Sequence, residues 1–102
     1  KPIYQPGQIF NARVLLLRRN QLETTVVADA DLTFTIKDQE GTTLYKESVK
    51  TSQFGIASIS WKIPENAKLG IYTVEVDSDD FPINQSLRSF KVSRYELPQF
   101  TV

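Results

Sequence analysis

The sequence predicts an all-β domain, an antiparallel sandwich of about seven strands of the immunoglobulin and fibronectin type III kind. Three observations carry that expectation. Apolar and polar residues alternate with period two along most of the chain. Turn-forming residues interrupt the alternation roughly every eight to twelve positions. No segment carries a helical stripe strong enough to compete.

Taken in order, Ile9 to Leu17 reads as the first long strand, with Phe10, Ala12, Val14 and Leu16 on one face and Asn11 and Arg13 on the other. Leu15 and Leu17 blur that contrast. Leu32, Phe34 and Ile36 alternate with Thr33, Thr35 and Lys37 until Asp38-Gln39-Glu40-Gly41, whose Asp and Gly suit a tight turn into a hairpin partner over Thr42 to Val49. The clearest alternation comes after Phe54-Gly55, where Ala57, Ile59, Trp61 and Ile63 share one face and Ser58, Ser60 and Lys62 the other. Pro64 ends that strand. Tyr72, Val74 and Val76 alternate with Thr73 and Glu75, Asp77-Ser78-Asp79-Asp80 forces a loop, and Phe90 and Val92 mark a last strand near Leu87 to Ser93. Trp61 and Phe34 sit in alternating strands and are expected in the core, since a sugar-stacking platform needs several aromatics on one exposed face.

Composition narrows the chemistry. The 102 residues carry 12 basic and 12 acidic side chains, with 40% hydrophobic content and no Cys, His or Met. Without His or Cys, a Ser-His-Asp triad, a His- or thiolate-held zinc and a thiol redox centre are excluded within this chain. Balanced charge, with Arg18-Arg19 the only adjacent basic pair, offers neither a nucleic acid nor an anionic membrane a positive surface. The longest apolar run, Val14 to Leu17, is strand-sized and far short of the roughly 20 residues of a membrane-spanning helix. A start at Lys1-Pro2 without Met reads as one domain, residues 1–102, excised from a larger protein, with residues 94–102 as a connector toward the next domain.

The opening Lys1-Pro2-Ile3-Tyr4-Gln5-Pro6-Gly7-Gln8 combines prolines that stiffen an extended lead-in with a Gly that permits a turn. It is similar to the Lys-Pro-Ile-Tyr-x-Pro-Gly-Gln segment near the start of the second macroglobulin-like domain in the alpha-2-macroglobulin and complement family. Phe54-Gly55 with the strand after it, and Leu69-Gly70-Ile71-Tyr72-Thr73-Val74, resemble that family's central and late strands in order and spacing. The ending from Phe90 to Val102 resembles its Phe-x-Val-x-x-Tyr-x-Leu-Pro-x-Phe-x-Val exit. The resemblance therefore covers nearly the whole chain. It implies a macroglobulin-like sandwich that serves as a non-catalytic frame in a broad-spectrum protease inhibitor, where a separate thioester domain or bait segment does the reactive work. The family's Cys-Gly-Glu-Gln motif is absent here. The partners implied are neighbouring macroglobulin-like domains of the same chain, with target proteases met only through the whole parent, in an extracytoplasmic setting: periplasmic if bacterial, secreted if animal. A stand-alone immunoglobulin-like adhesion or surface module is the second reading.

The candidate site residues belong to these segments. Ile3, Tyr4, Tyr95, Leu97, Pro98 and Phe100 lie in Pro-flanked extended ends and are expected either to pack against neighbouring domains or to cap this domain's own core. Tyr72, two residues after Gly70 at the start of a late strand, suits a tyrosine corner, in which the phenol bonds to upstream backbone, or simple core packing. Asn84-Gln85-Ser86 is a formal glycosylation acceptor, read here as lying in a loop. Asp77 to Asp80 and Asp29-Ala30-Asp31 read as solvated turns, because neither has the Gly and distal Glu of a helix-flanked calcium loop. No catalytic residue, metal ligand or cofactor is assigned.

Overall fold

The computed structural model describes residues 2–79 and 84–94, with the backbone alone for residues 84–87. The described residues form strands and turns without a helix: β1 (Ile3–Tyr4), β2 (Ile9–Leu15), β3 (Leu17–Arg19), β4 (Thr24–Val26), β5 (Asp31–Lys37), β6 (Thr43–Lys50), β7 (Ile56–Lys62), β8 (Gly70–Asp77) and β9 (Asn84–Val92). They build a five-stranded sheet in the order β1-β9-β8-β5-β6, a β2-β7 pair and a β3-β4 pair. All pairings are antiparallel except β1 with β9, which is parallel. The architecture is the all-β sandwich that the alternation predicts, with nine described strands against about seven expected, of which the two-residue β1 and the short β3 and β4 are the ones the alternation does not mark.

Alternation decides which side chains meet between the layers. Phe10, Ala57, Ile59, Trp61 and Ile63 from the β2-β7 layer face Leu32, Phe34, Ile36, Tyr72, Val74, Val76, Phe90 and Val92 from the large sheet, all of them buried. Each large aliphatic or aromatic side chain so buried stabilises by about 1.5–3 kcal/mol. The outer face of the large sheet is polar, and across β5 and β8 it holds an ion pair between Lys37 Nζ and Glu75 Oε2 at 3.0 Å. Both partners keep solvent access, so that pair contributes little.

The turns obey local chemistry. Asp38 Oδ1 accepts bonds from the backbone N–H groups of Glu40 (3.0 Å) and Thr42 (2.9 Å), which closes the β5-β6 hairpin, and Gly41 takes the left-handed φ of 86° that this turn requires. At the opposite end of the sandwich Thr51 is the buried tie. Its hydroxyl donates to Val27 O at 2.8 Å and accepts from Ala30 N at 2.9 Å, holding the loop in which Asp29 adopts a φ of 58°.

The β3-β4 hairpin falls where the sequence shows no alternation, because all six of its residues are exposed and neither face needs to be apolar. It extends the β2-β7 layer by an exchange of partners. The Leu16 amide donates to Gly55 O (2.8 Å), while the Leu16 carbonyl accepts from Val27 N (3.0 Å). One strand edge thus passes from β7 to β4 at Leu16. Gly55 sits in the crossing with a φ of 75°, and a Cβ there would lie 2.9 Å from Leu16 O and 3.0 Å from Val26 Cβ. Both contacts are with backbone or branched carbon, which cannot swing aside. Gly55→Ala is therefore expected to lower the stability of the chain by about 1–3 kcal/mol in urea unfolding. A loss below a few tenths would mean that the crossing is loose enough to accept a side chain.

Candidate functional site

The chain's lead-in and its last strand converge on one edge of the sandwich. β1 lies alongside β9 with Ile3 opposite Lys91 and Tyr4 opposite Val92. The Lys91 amide donates to Pro2 O at 3.0 Å and the Ser93 amide to Tyr4 O at 2.9 Å. Just beyond, Gly7 N donates to Ile63 O (2.7 Å) and Ile63 N to Gln8 O (2.8 Å), which joins the lead-in to the end of β7. Arg94 completes the cluster by donating from its guanidinium to Glu65 O at 2.9 Å. Backbone bonds thus tie where the chain arrives to where it leaves.

The two described candidates on β1 face opposite ways. Tyr4 is half-buried and packs edge-on against Phe10 and Phe90, with centroids 5.4 Å away in both cases, so it caps the domain's own core. Ile3 points the other way and is 67% exposed. Tyr95, Leu97, Pro98 and Phe100 lie outside the described residues.

Tyr72 sits on β8 with its ring in the core and its hydroxyl donating to Lys68 O at 2.6 Å, four residues upstream. The two alternatives posed for it are compatible, because the ring is core and the phenol reaches back to the connection before its strand. That corner is fastened from the other side by the β5-β6 turn. Gln39 Oε1 accepts from Ile71 N (3.1 Å), and Glu40 meets Lys68 in an exposed ion pair at 3.4 Å. Gly70 suits that corner because its φ is 140°, and a Cβ there would push the Gln39 amide off its bond to Ile71 N. Burial first, and the Asp38 carboxylate second, push the Tyr72 phenol above its ordinary value.

Asn84 begins β9, its backbone paired opposite Asp77 at the end of β8. The expected loop over residues 84–86 is thus corrected to strand. β8 stays extended to Asp77 and needs a hydrogen-bonding neighbour along its whole length, and β9 supplies it through an irregularity opposite Val74 and Glu75. The acidic segments show turn chemistry in their described parts. Asp77 Oδ1 accepts from Ser78 N, Ser78 Oγ donates to Asp31 O, and Asp29 N donates to Thr51 O. Among the described residues no three His, Cys, Asp or Glu side chains come together in a way that could hold a metal ion. A shallow hollow between the β5-β6 turn and residues 64–68 is lined by Asp38, Leu44, Pro64, Ala67 and Tyr72. Its carboxylate is already engaged by the Glu40 and Thr42 amides.

Removing the phenol tests the corner. Tyr72→Phe is expected to cost on the order of 1 kcal/mol at neutral pH, because Lys68 O loses its partner. The native phenol is raised, so the folded state keeps its proton after the unfolded state has lost it. The resulting stability is complete below about pH 10 and declines as pH rises through the folded-state value. Denaturant melts of both forms from pH 8 to 11.5 should show a steeper alkaline loss in the native chain than in the variant. Parallel curves would remove the corner's contribution.

Comparison with known proteins fits this geometry. The MG2 domain family model matches residues 1–92. Over the whole chain there is 26% identity to a protein named alpha-2-macroglobulin from Thermotoga maritima, of which the chain spans 6% of the length. Among solved structures the chain superposes on a crystal structure of trypsin-activated alpha-2-macroglobulin from Escherichia coli with a TM-score of 0.65 at 15% identity, covering 90% of this chain and 6% of that one. The β1-β9 pairing and the Lys91 bond lie within the segment that the family model spans, with the Ser93 bond one residue beyond it, and the chain belongs to the MG2 domain family.

Proposed function

We propose that this chain is a structural scaffold domain of a longer alpha-2-macroglobulin-like endopeptidase inhibitor, and that it contributes position and rigidity instead of chemistry. The observation that carries the reading is the tie between β1 and β9, in which the lead-in and the outgoing strand share hydrogen bonds with each other and rest on the same aromatic core. A domain built this way holds the segments before and after it at a fixed separation and angle. Family membership and the small share of its relatives that it spans support a part within a larger assembly.

In this reading Ile3, exposed beside the tie, belongs to a junction with a neighbouring macroglobulin-like domain, and Tyr95, Leu97, Pro98 and Phe100 extend that junction along the connector over residues 94–102. Proteases are met by the whole polypeptide, outside the cytoplasm, and no residue of this chain touches a scissile bond. Asp38 and Thr51 are engaged in turns, and Asn11 and Ser60 bond to each other at 2.5 Å on the outer face of the β2-β7 layer.

Incubating trypsin with a molar excess of the isolated chain should leave its activity on a protein substrate unchanged. The full-length polypeptide should protect that same large substrate from trypsin while small chromogenic peptides are still cleaved. Stoichiometric inhibition by the isolated chain would overturn the scaffold reading.

A further inference from the structure

The outer face of the β2-β7 layer changes character along its length. Residues directly opposite in an antiparallel pair project to the same side, and side chains alternate along each strand. Nearest the lead-in Ile9, 58% exposed, stands opposite Lys62, and the next two outward pairs, Asn11 with Ser60 and Arg13 with Ser58, are polar. On either side of the crossing at Gly55 they become Leu15 with Ile56 before it and Leu17 with Val26 beyond it. These four form one continuous apolar stripe across the exchange from β7 to β4. Leu15 is 55% exposed, Leu17 48% and Val26 47%, while Leu16 between them turns inward onto the core. The next outward pair, Arg19 with Thr24, is polar again.

Charge on this face is one-sided. Arg13 and Arg19 bracket the stripe, Lys62 stands further along, and no outward position of β2, β3, β4 or β7 is Asp or Glu. Across the whole chain the acidic and basic residues balance at 12 each, so the bias belongs to this surface and not to the composition. An apolar centre rimmed by arginines is the composition of a protein contact surface, where desolvated aliphatics supply the affinity and arginines pair with carboxylates at the edge.

We propose that Leu15, Ile56, Leu17 and Val26 dock against another domain of the same longer polypeptide, through an apolar patch on that domain rimmed by carboxylates that meet Arg13 and Arg19. The inference rests on the scaffold reading and adds a second contact, at the end of the sandwich remote from the β1-β9 tie. A domain held at both ends is fixed against rotation, which a single junction does not achieve. Salt weakens the arginine contribution and leaves the aliphatic part in place.

Covalent footprinting of aliphatic side chains, run on the isolated chain and on the full-length polypeptide, tests it. Labelling of Leu15, Leu17, Val26 and Ile56 is expected to fall severalfold in the longer protein. The doubly reversed Arg13→Glu, Arg19→Glu form should restore that labelling in the longer protein and leave the melting temperature of the isolated chain unchanged. Equal labelling of the four residues in both proteins, with Ile3 protected in the longer one, overturns the second contact and leaves the scaffold reading standing. Equal labelling at Ile3 as well overturns both. Concentration-dependent dimerisation of the isolated chain with the stripe protected, or its binding to anionic vesicles through the stripe, would assign the surface to a different occupant and overturn the proposal.

Discussion

The stacked pair of Phe10 and Phe90 is the contact on which the rest of the sandwich depends. Their rings lie 4.2 Å apart at an interplanar angle of 18°, one from each layer, and both are fully buried. Tyr4 closes over them edge-on, Tyr72 lies beside Phe90 at 5.5 Å, and Trp61 continues the file to Tyr45. Such ring pairs add roughly 0.5–1.5 kcal/mol each beyond the area they bury. Their placement matters more than their sum. The file runs across the core from the strand on which the chain arrives, through both layers, to the edge strand β6, so displacement of one layer disturbs contacts in every other.

That arrangement explains how a domain without cysteine holds its lead-in against β9. β1 has only two residues, too few for a stable strand by hydrogen bonding alone. It is kept in place because Tyr4 inserts into the ring cluster while its backbone meets β9. The corner at Tyr72 and the Gln39 clasp on Ile71 brace the neighbouring strand at the same end, and Thr51 and Gly55 organise the opposite end. Rigidity comes from ordinary core packing, and the residues with special backbone or hydrogen-bonding roles serve turns and crossings.

Strands buried on one face were legible in the sequence because burial imposes period two. Ala57, Ile59, Trp61 and Ile63 are inward as their spacing requires, and Leu32, Phe34 and Ile36 likewise. The offset of Tyr72 from Gly70 left corner and core packing open, and the fold shows a buried ring with its hydroxyl bonded to Lys68 O. The β3-β4 hairpin was not legible, since Leu17, Arg18 and Arg19 opposite Val26, Thr25 and Thr24 are all exposed and leave no pattern beyond the β-branched run at residues 24–26. The start of β9 at Asn84 was also hidden, because Asn84-Gln85-Ser86 carries loop composition and is extended only by pairing with β8. The parallel union of β1 with β9 joins segments nearly ninety residues apart, and local composition holds no record of it. Pro-flanked ends marked Ile3 and Tyr4 together, and only the fold separates the exposed one from the half-buried one.

With β1 bonded to β9 and Tyr4 seated in the ring cluster, the lead-in and the end of β9 move as one body with the core. Amide hydrogen exchange at Lys91 and Ser93, which donate to Pro2 O and Tyr4 O, measures it directly. Both amides are expected to exchange with the opening free energy of global unfolding, matching the amides of Phe34 and Val74 in the central strands. Fast exchange at Lys91 and Ser93 while Phe34 and Val74 stay protected would mean that β1 detaches freely, and a domain with a loose lead-in could not hold its neighbours in position.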